Sequence, residues 1–242
     1  MNEFIYGRNA SIEIIKANKN IINVYLSESS LNNNKDIINM LDNKNIKYQI
    51  KNKEYLNKIS LNNQGIIIEI LKYEYSDLDK IMNNNHEDLL PVIVMLDGLE
   101  DPHNLGAITR TCEIVKSNGI IIPKNRSVSV NATVFKTSTG AIERVPICQV
   151  TNLVQTIKEL KKNGWWIVGA EALDESINMY DMKFDMKICL VIGSEGRGIS
   201  RLVREECDFL VKIPMWGEIN SLNASVSCSI LLYEIRRQGL IK

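Results

Sequence analysis

Nowhere in the 242 residues does an apolar run approach the roughly 18 that a membrane helix needs. The opening MNEFIYGRNASIE lacks the basic start and apolar core of a secretory signal, so a soluble, cytoplasmic chain is expected. Histidine is scarce, with only His86 and His103, too few for a histidine-based metal site. The five cysteines (Cys112, Cys148, Cys189, Cys207 and Cys228) form an odd, widely spaced set with no two-residue pair. They read as reduced, mostly buried thiols, and no metal is expected. Neither GxGxxG nor GxxxxGK[ST] occurs, so the dinucleotide and triphosphate fingerprints both fail. An excess of charge is missing too: 29 basic and 29 acidic side chains sum to zero. Residues 1–90 carry 11 bases and 12 acids, and the remainder 18 and 17, so neither half is basic. Phosphate binding usually leaves a basic surplus. The charge sum alone therefore argues against a nucleic-acid partner.

What is present changes character near residue 90. The first 90 residues hold 18 of the 27 asparagines, including the runs 32–34 and 83–85, which read as loops. Between them, Ser11–Lys16 and Asp36–Lys44 read as helices, and Ile21–Ser27 and Gly65–Leu71 as strands. That predicts a small α/β domain over residues 1–72, then a polar linker with a helical piece over 73–90, ending at Pro91. Beyond it, apolar runs at Val92–Leu96, Ile120–Ile122, Ile147–Val150, Trp165–Gly169, Ile188–Ile192 and Phe209–Ile213 alternate with helical windows. Near-continuous apolar strands joined by helices imply a parallel sheet covered on both faces, so residues 91–242 form an α/β domain. Ligands of such sheets bind at loops beyond the carboxyl ends of the strands.

Three of those loops carry polar clusters. In DGLEDPHNLGAITR (97–110), Pro102 stiffens the turn, Asn104 is placed to cap a helix, and Gly106 permits a close approach. Read alone, Arg110 on the polar face of that helix is a surface arginine paired with Glu113. In VIGSEGRGIS (191–200), three glycines in six residues make a tight loop at a strand end, ahead of a helix. In IPMWGEINSLNASVS (213–227), a strand ends at Pro214, and Ser221 is placed to cap the terminal helix. A capped amphipathic helix accounts for the apolar positions Leu222, Val226, Ile230 and Tyr233 better than for the polar cluster at Asn220, Ser221 and Asn223.

In this order and spacing the three loops resemble the motifs of the SpoU/TrmH family of RNA ribose 2′-O-methyltransferases, in the SPOUT superfamily. The likeness covers essentially all of residues 91–242. The stretches IIPKNRS and NATVFKTSTGAIERVP are most similar to the RlmB-type branch, which methylates a guanosine of 23S rRNA. YGRNASIE and NQGIII resemble the start and the closing strand of that branch's substrate-binding domain. There the family usually has a histidine before Gln-Gly; this chain has Asn63.

The resemblance implies a trefoil-knotted parallel-sheet methyltransferase domain behind a small N-terminal α/β RNA-binding domain, S-adenosyl-L-methionine as methyl donor, and a homodimer. It places the cofactor against Gly193, Glu195, Gly196, Gly198, Ile213, Pro214 and Leu222. Arg110, reaching across the dimer, would act with Asn104, Glu195, Ser221 and Asn223 on the target ribose. A guanidinium is a poor base, its pKa exceeding ~12, so Arg110 is expected to hold phosphate and stabilise the developing alkoxide. Arg8, Arg110, Lys124 and Arg126 are the expected RNA contacts, and with Arg197 they could form a local basic patch while acids elsewhere cancel the sum. Three other readings stay open. They are the same reaction on tRNA or another rRNA nucleotide, a non-catalytic RNA-binding or ribosome-assembly protein, and, remotely, a nicotinamide-dependent oxidoreductase.

Overall fold

The structure, a computed structural model, describes residues 2–17, 21–71, 73–219 and 221–239. Lys72, where the first expected domain ends, and Asn220 of the third loop lie outside them. The chain divides into two compact units, 1–74 and 75–242.

The first unit is a four-stranded sheet in the order β1 (Asn2–Tyr6), β4 (Ile66–Leu71), β2 (Ile21–Ser27), β3 (Gln49–Lys51). Helices α1 (Arg8–Ala17), α2 (Lys35–Asn43) and α3 (Lys53–Ile59) complete it. β4 is central because Ile66, Ile67 and Ile68 are all fully buried. The family's usual histidine is replaced by a buried Asn63 with every polar group of its side chain in use. Its Nδ2 donates to Asn57 Oδ1 at 2.9 Å and to the Ser60 carbonyl at 2.6 Å, and its Oδ1 accepts from the Gly65 amide at 2.8 Å.

The second unit holds α4 (Leu78–Met82), β5 (Val92–Asp97), α5 (Pro102–Ile114), β6 (Gly119–Pro123), α6 (Ala132–Thr137), β7 (Ile147–Val150), α7 (Leu153–Lys162), β8 (Trp166–Ala170), β9 (Ile177–Asn178), β10 (Ile188–Gly193), α8 (Arg201–Arg204), β11 (Phe209–Lys212) and α9 (Ala224–Gly239). Its seven strands run β7-β6-β5-β10-β8-β11-β9, and every adjacent pair is parallel. All six apolar runs expected as strands are strands. The central runs are buried throughout, as a sheet covered on both faces requires.

The stretch 73–90 departs from the linker expectation. Its helix α4 forms, but Ile81 and Met82 are buried in the core of the second unit beside Ile93, Ile121 and Leu160. The Ser76 amide also donates to the Ile147 carbonyl at 2.8 Å. Residues from Tyr75 onward therefore fold with the sheet: two apolar side chains gain more from burial than from a hydrated tether. Among the described residues, no helix is long and apolar enough to cross a membrane.

Candidate active site

Strands β8, β10 and β11 end side by side, and the loops that leave them surround a cleft of about 690 Å³. That lies within the usual size of a small-molecule site, ~300–1,000 Å³. Its floor is the loop after β10. Ser194 and Gly198 exchange both backbone hydrogen bonds, at 3.1 and 3.0 Å, while Gly196 and Gly198 take φ of +78° and +65°. Gly193 is needed for a different reason: a Cβ there would lie 2.1 Å from the Gly198 carbonyl carbon. Two acids fasten the loop to the ends of the strands flanking β10. Asp97 Oδ2, ending β5, accepts from the Ser200 amide at 2.7 Å, and Glu171 Oε2, just beyond β8, accepts from the Ile199 amide at 2.9 Å.

The three loops meet in one hydrogen-bonded cluster. Glu195 Oε1 accepts from Asn104 Nδ2 at 2.8 Å and from Asn223 Nδ2 at 2.6 Å, and the same Asn223 nitrogen also donates to Asn104 Oδ1 at 3.0 Å. Each loop contributes one member. Two caps differ from expectation, and both differences serve this cluster. Asp101, not Asn104, caps α5: its backbone is extended, its side chain accepts from the His103 amide at 2.8 Å, and Pro102 opens the helix. Asn104 therefore sits inside the first turn, with its buried amide free to face Glu195. Likewise Asn223, not Ser221, caps α9, its Oδ1 accepting from the Ser225 amide at 2.9 Å and the Val226 amide at 3.4 Å.

Gly193, Glu195, Gly196, Gly198, Ile213, Ser221, Leu222 and Asn223 all line the cleft. Pro214 is not among its lining residues, although its neighbours Ile213 and Met215 are. Arg110 lies exposed on α5, and the expected pair with Glu113 does not form. Glu113 instead receives Arg144 at 3.4 Å. Gly106 is closed off by α6, since a Cβ there would lie 2.5 Å from Thr137 Cβ. Lys124 and Arg126 are exposed after β6, on a turn tied to the first loop by the Val128 amide, which donates to the Leu99 carbonyl at 2.7 Å. Among the described residues, the side chains of Arg110, Lys124, Arg126 and Arg197 have no hydrogen-bond or ion-pair partner. Arg8, in the first unit, is different. It pairs with Asp36 at 2.7 Å and donates to the Asn33 carbonyl and to Asn34 Oδ1, so its charge is already compensated.

Glu171 and Lys212 line the cleft without having been singled out from the sequence. An acid directly after an apolar run was the available signal for Glu171. All five cysteines are free and none lies in the cleft lining. Burial pushes the Cys148 thiol up to about 11 and the Cys112 and Cys207 thiols up to about 12, so they stay protonated. No group of three or more metal-binding side chains occurs among the described residues.

Comparison with known proteins bears on the family and the fold. A Staphylococcus haemolyticus protein named as a TrmH family tRNA/rRNA methyltransferase is 45% identical over 237 residues, covering 97% of this chain and 95% of its own length. The Bacillus subtilis protein YacO, named likewise, is 40% identical over 98% of this chain and 96% of its own. Among solved structures, the SpoU methyltransferase AviRb from Streptomyces viridochromogenes, crystallised with AdoMet, superposes with a TM-score of 0.66 at 20% identity, covering 100% of this chain and 92% of that one. Residues 4–76 match the model for RNA 2′-O ribose methyltransferase substrate binding. Residues 91–233, which contain all three loops and the sheet between them, match the SpoU rRNA methylase model; the chain belongs to that family of RNA methyltransferases.

Proposed function

We propose that the chain transfers a methyl group from S-adenosyl-L-methionine to the ribose 2′-hydroxyl of one RNA nucleotide, a guanosine of 23S rRNA, and does so as a homodimer on a trefoil-knotted domain. The observation that carries the reading is the convergence of Asn104, Glu195 and Asn223, one from each loop, beside a glycine-walled cleft. Bound there, S-adenosylmethionine supplies a methyl already activated on a positively charged sulfur. The residues present fit such a molecule. Ile192, Ile213 and Leu222 offer an apolar wall for a purine, while Glu171, Ser221 and the backbone of the 193–198 loop offer polar groups for the rest.

The chain's own part is mostly positioning, since correct alignment alone lowers a barrier by several kcal/mol, ~7–11 at best. The Asn104–Glu195–Asn223 cluster fixes the glycine loop against the first turns of α5 and α9. Arg110 presents an uncompensated guanidinium, suited to hold the target phosphate and to stabilise negative charge growing on the 2′-oxygen. Lys124 and Arg126 offer two further unpaired cations for phosphate, whereas Arg8, paired with Asp36 and bonded to Asn33 and Asn34, keeps the first-unit turn in order. The N-terminal unit supplies substrate recognition, which favours a structured rRNA target over a minimal tRNA site.

Mapping of 2′-O-methylation in 23S rRNA, with and without the gene, tests this reading. Loss at a single guanosine is expected. An intact 23S pattern with a methyl group missing from tRNA would move the target. No missing methyl in any RNA, together with no incorporation from labelled cofactor, would remove the activity.

A further inference from the structure

Four charged side chains line the cleft: Lys212, Glu195, Arg197 and Glu171. Lys212 Nζ donates to the carbonyls of Leu173 and Asp174, at 3.1 and 3.2 Å. Glu195 joins the three-loop cluster through Oε1, and Arg197 stands exposed, without a partner among the described residues, on the loop between Gly196 and Gly198. Glu171 is the fourth, and only half of its carboxylate is explained. Oε2 accepts from the Ile199 amide at 2.9 Å, whereas Oε1 has no hydrogen-bond donor among the described residues. That open oxygen is held in place by the absence of a side chain: a Cβ at Gly198 would lie 2.4 Å from it. The residue is partly exposed and directly follows β8, at the carboxyl end of a parallel strand.

A fixed carboxylate in that position suits a pair of neighbouring hydroxyls. It accepts two hydrogen bonds without supplying a donor, and charge-assisted bonds are about twice as strong as neutral ones. Acids at strand ends hold ribose hydroxyls in other parallel-sheet folds. We infer that Glu171 is the sugar-recognition residue of the cleft, its free oxygen accepting from the ribose hydroxyls of the adenosyl group. The inference rests on the cleft being the cofactor site. Asp97 is the internal control, because it anchors the same loop through the Ser200 amide and does not line the cleft.

The test is calorimetric binding of S-adenosylhomocysteine, its 2′-deoxy and 3′-deoxy analogues, and the analogue lacking the α-amino group. Wild type is expected to prefer the full ribose over at least one deoxy analogue by about tenfold or more. In Glu171→Ala that preference collapses towards one, while Asp97→Ala weakens every ligand by a common factor and keeps the preference. Glu171→Gln retains an oxygen for the Ile199 amide, so it carries the test if the alanine variant does not fold. Unchanged ribose preference in both Glu171 variants would reduce the residue to a loop anchor and overturn the inference. Loss of discrimination at the amino group instead would overturn it as well. Failure of wild type to bind S-adenosylhomocysteine at all would strike the cofactor reading itself.

Discussion

Arg110 stands out from its neighbours by what it lacks. The ordinary fate of an arginine on a polar helix face is an i,i+3 pair, and Glu113 occupies that position but is engaged by Arg144. Removing Arg110 should therefore cost little stability and much rate. Arg110→Ala is expected to keep cofactor affinity while methyl transfer falls at least ~100-fold, the lower end of what a positioned catalytic group contributes. A drop of only a few fold in single-turnover assays would take Arg110 out of the chemistry. Asn104 is a buried donor facing a carboxylate, so its replacements should differ in sign with pH. Asn104→Ala removes the donor. Asn104→Asp puts a second carboxylate against Glu195, and like charges about 3 Å apart resist ionising together. At pH 8 the aspartate variant should bind cofactor more weakly than the alanine variant. As pH falls, the acid pair takes up one proton, regains a hydrogen bond, and affinity recovers towards pH 5. Parallel pH profiles for the two variants would show that the cluster does not need a donor there.

At the scale of elements, the glycine loop and the two helices beside it form one assembly. Arg236 of α9 donates to the carbonyls of Val115 and Lys116, at 2.7 and 2.9 Å, so it fills the unsatisfied end of α5 and ties the two helices together. Thr111 and Ser229 hydroxyls meet at 2.9 Å along the same contact. Within the loop, the glycines should not be equivalent. Gly193→Ala drives a Cβ into the Gly198 backbone and is expected to abolish cofactor binding. Gly196→Ala meets no atom within 4 Å and bears only the left-handed backbone cost, about 1–2 kcal/mol, so binding should persist with a modest loss. Equal losses in calorimetry would mean the loop is not held by the Gly193 contact.

These contacts also mark what the sequence could disclose. Six of the second unit's strands, the edge strand β7 included, were legible because each carries a near-continuous apolar run. Mixed and very short elements were not: β1 and β3 carry mixed residues, and β9 is two residues long. The members of the three-loop cluster were legible as motif residues. Their pairing was not, since Asn104 is 91 residues from Glu195 and 119 from Asn223. Capping was misassigned because Pro102 shifts the start of α5 upstream, which local propensity leaves undecided between Asp101 and Asn104.

For the whole molecule, the proposed dimer has a candidate surface on α9, where Val226 and Tyr233, on one helical face, are 44% and 55% exposed. Val226→Glu with Tyr233→Glu is expected to give a monomer by sedimentation equilibrium and to abolish turnover, because Arg110 would lose the partner's cofactor site. A monomeric variant with wild-type turnover would contradict the dimer mechanism. The balanced charge sets a second constraint at this scale. With 29 bases against 29 acids, RNA cannot be held by a globally positive surface. Arg110, Lys124, Arg126 and Arg197 remain as exposed side chains without partners among the described residues, while Arg8 is neutralised by Asp36. Each phosphate neutralised contributes a slope of about −0.7 to −0.9 in log affinity against log salt. Four such contacts give a slope near −3, far shallower than that of a strongly basic RNA-binding protein. A fluorescence titration of an rRNA fragment between 50 and 300 mM salt measures it, and a slope steeper than about −6 would require a basic surface that these residues do not supply.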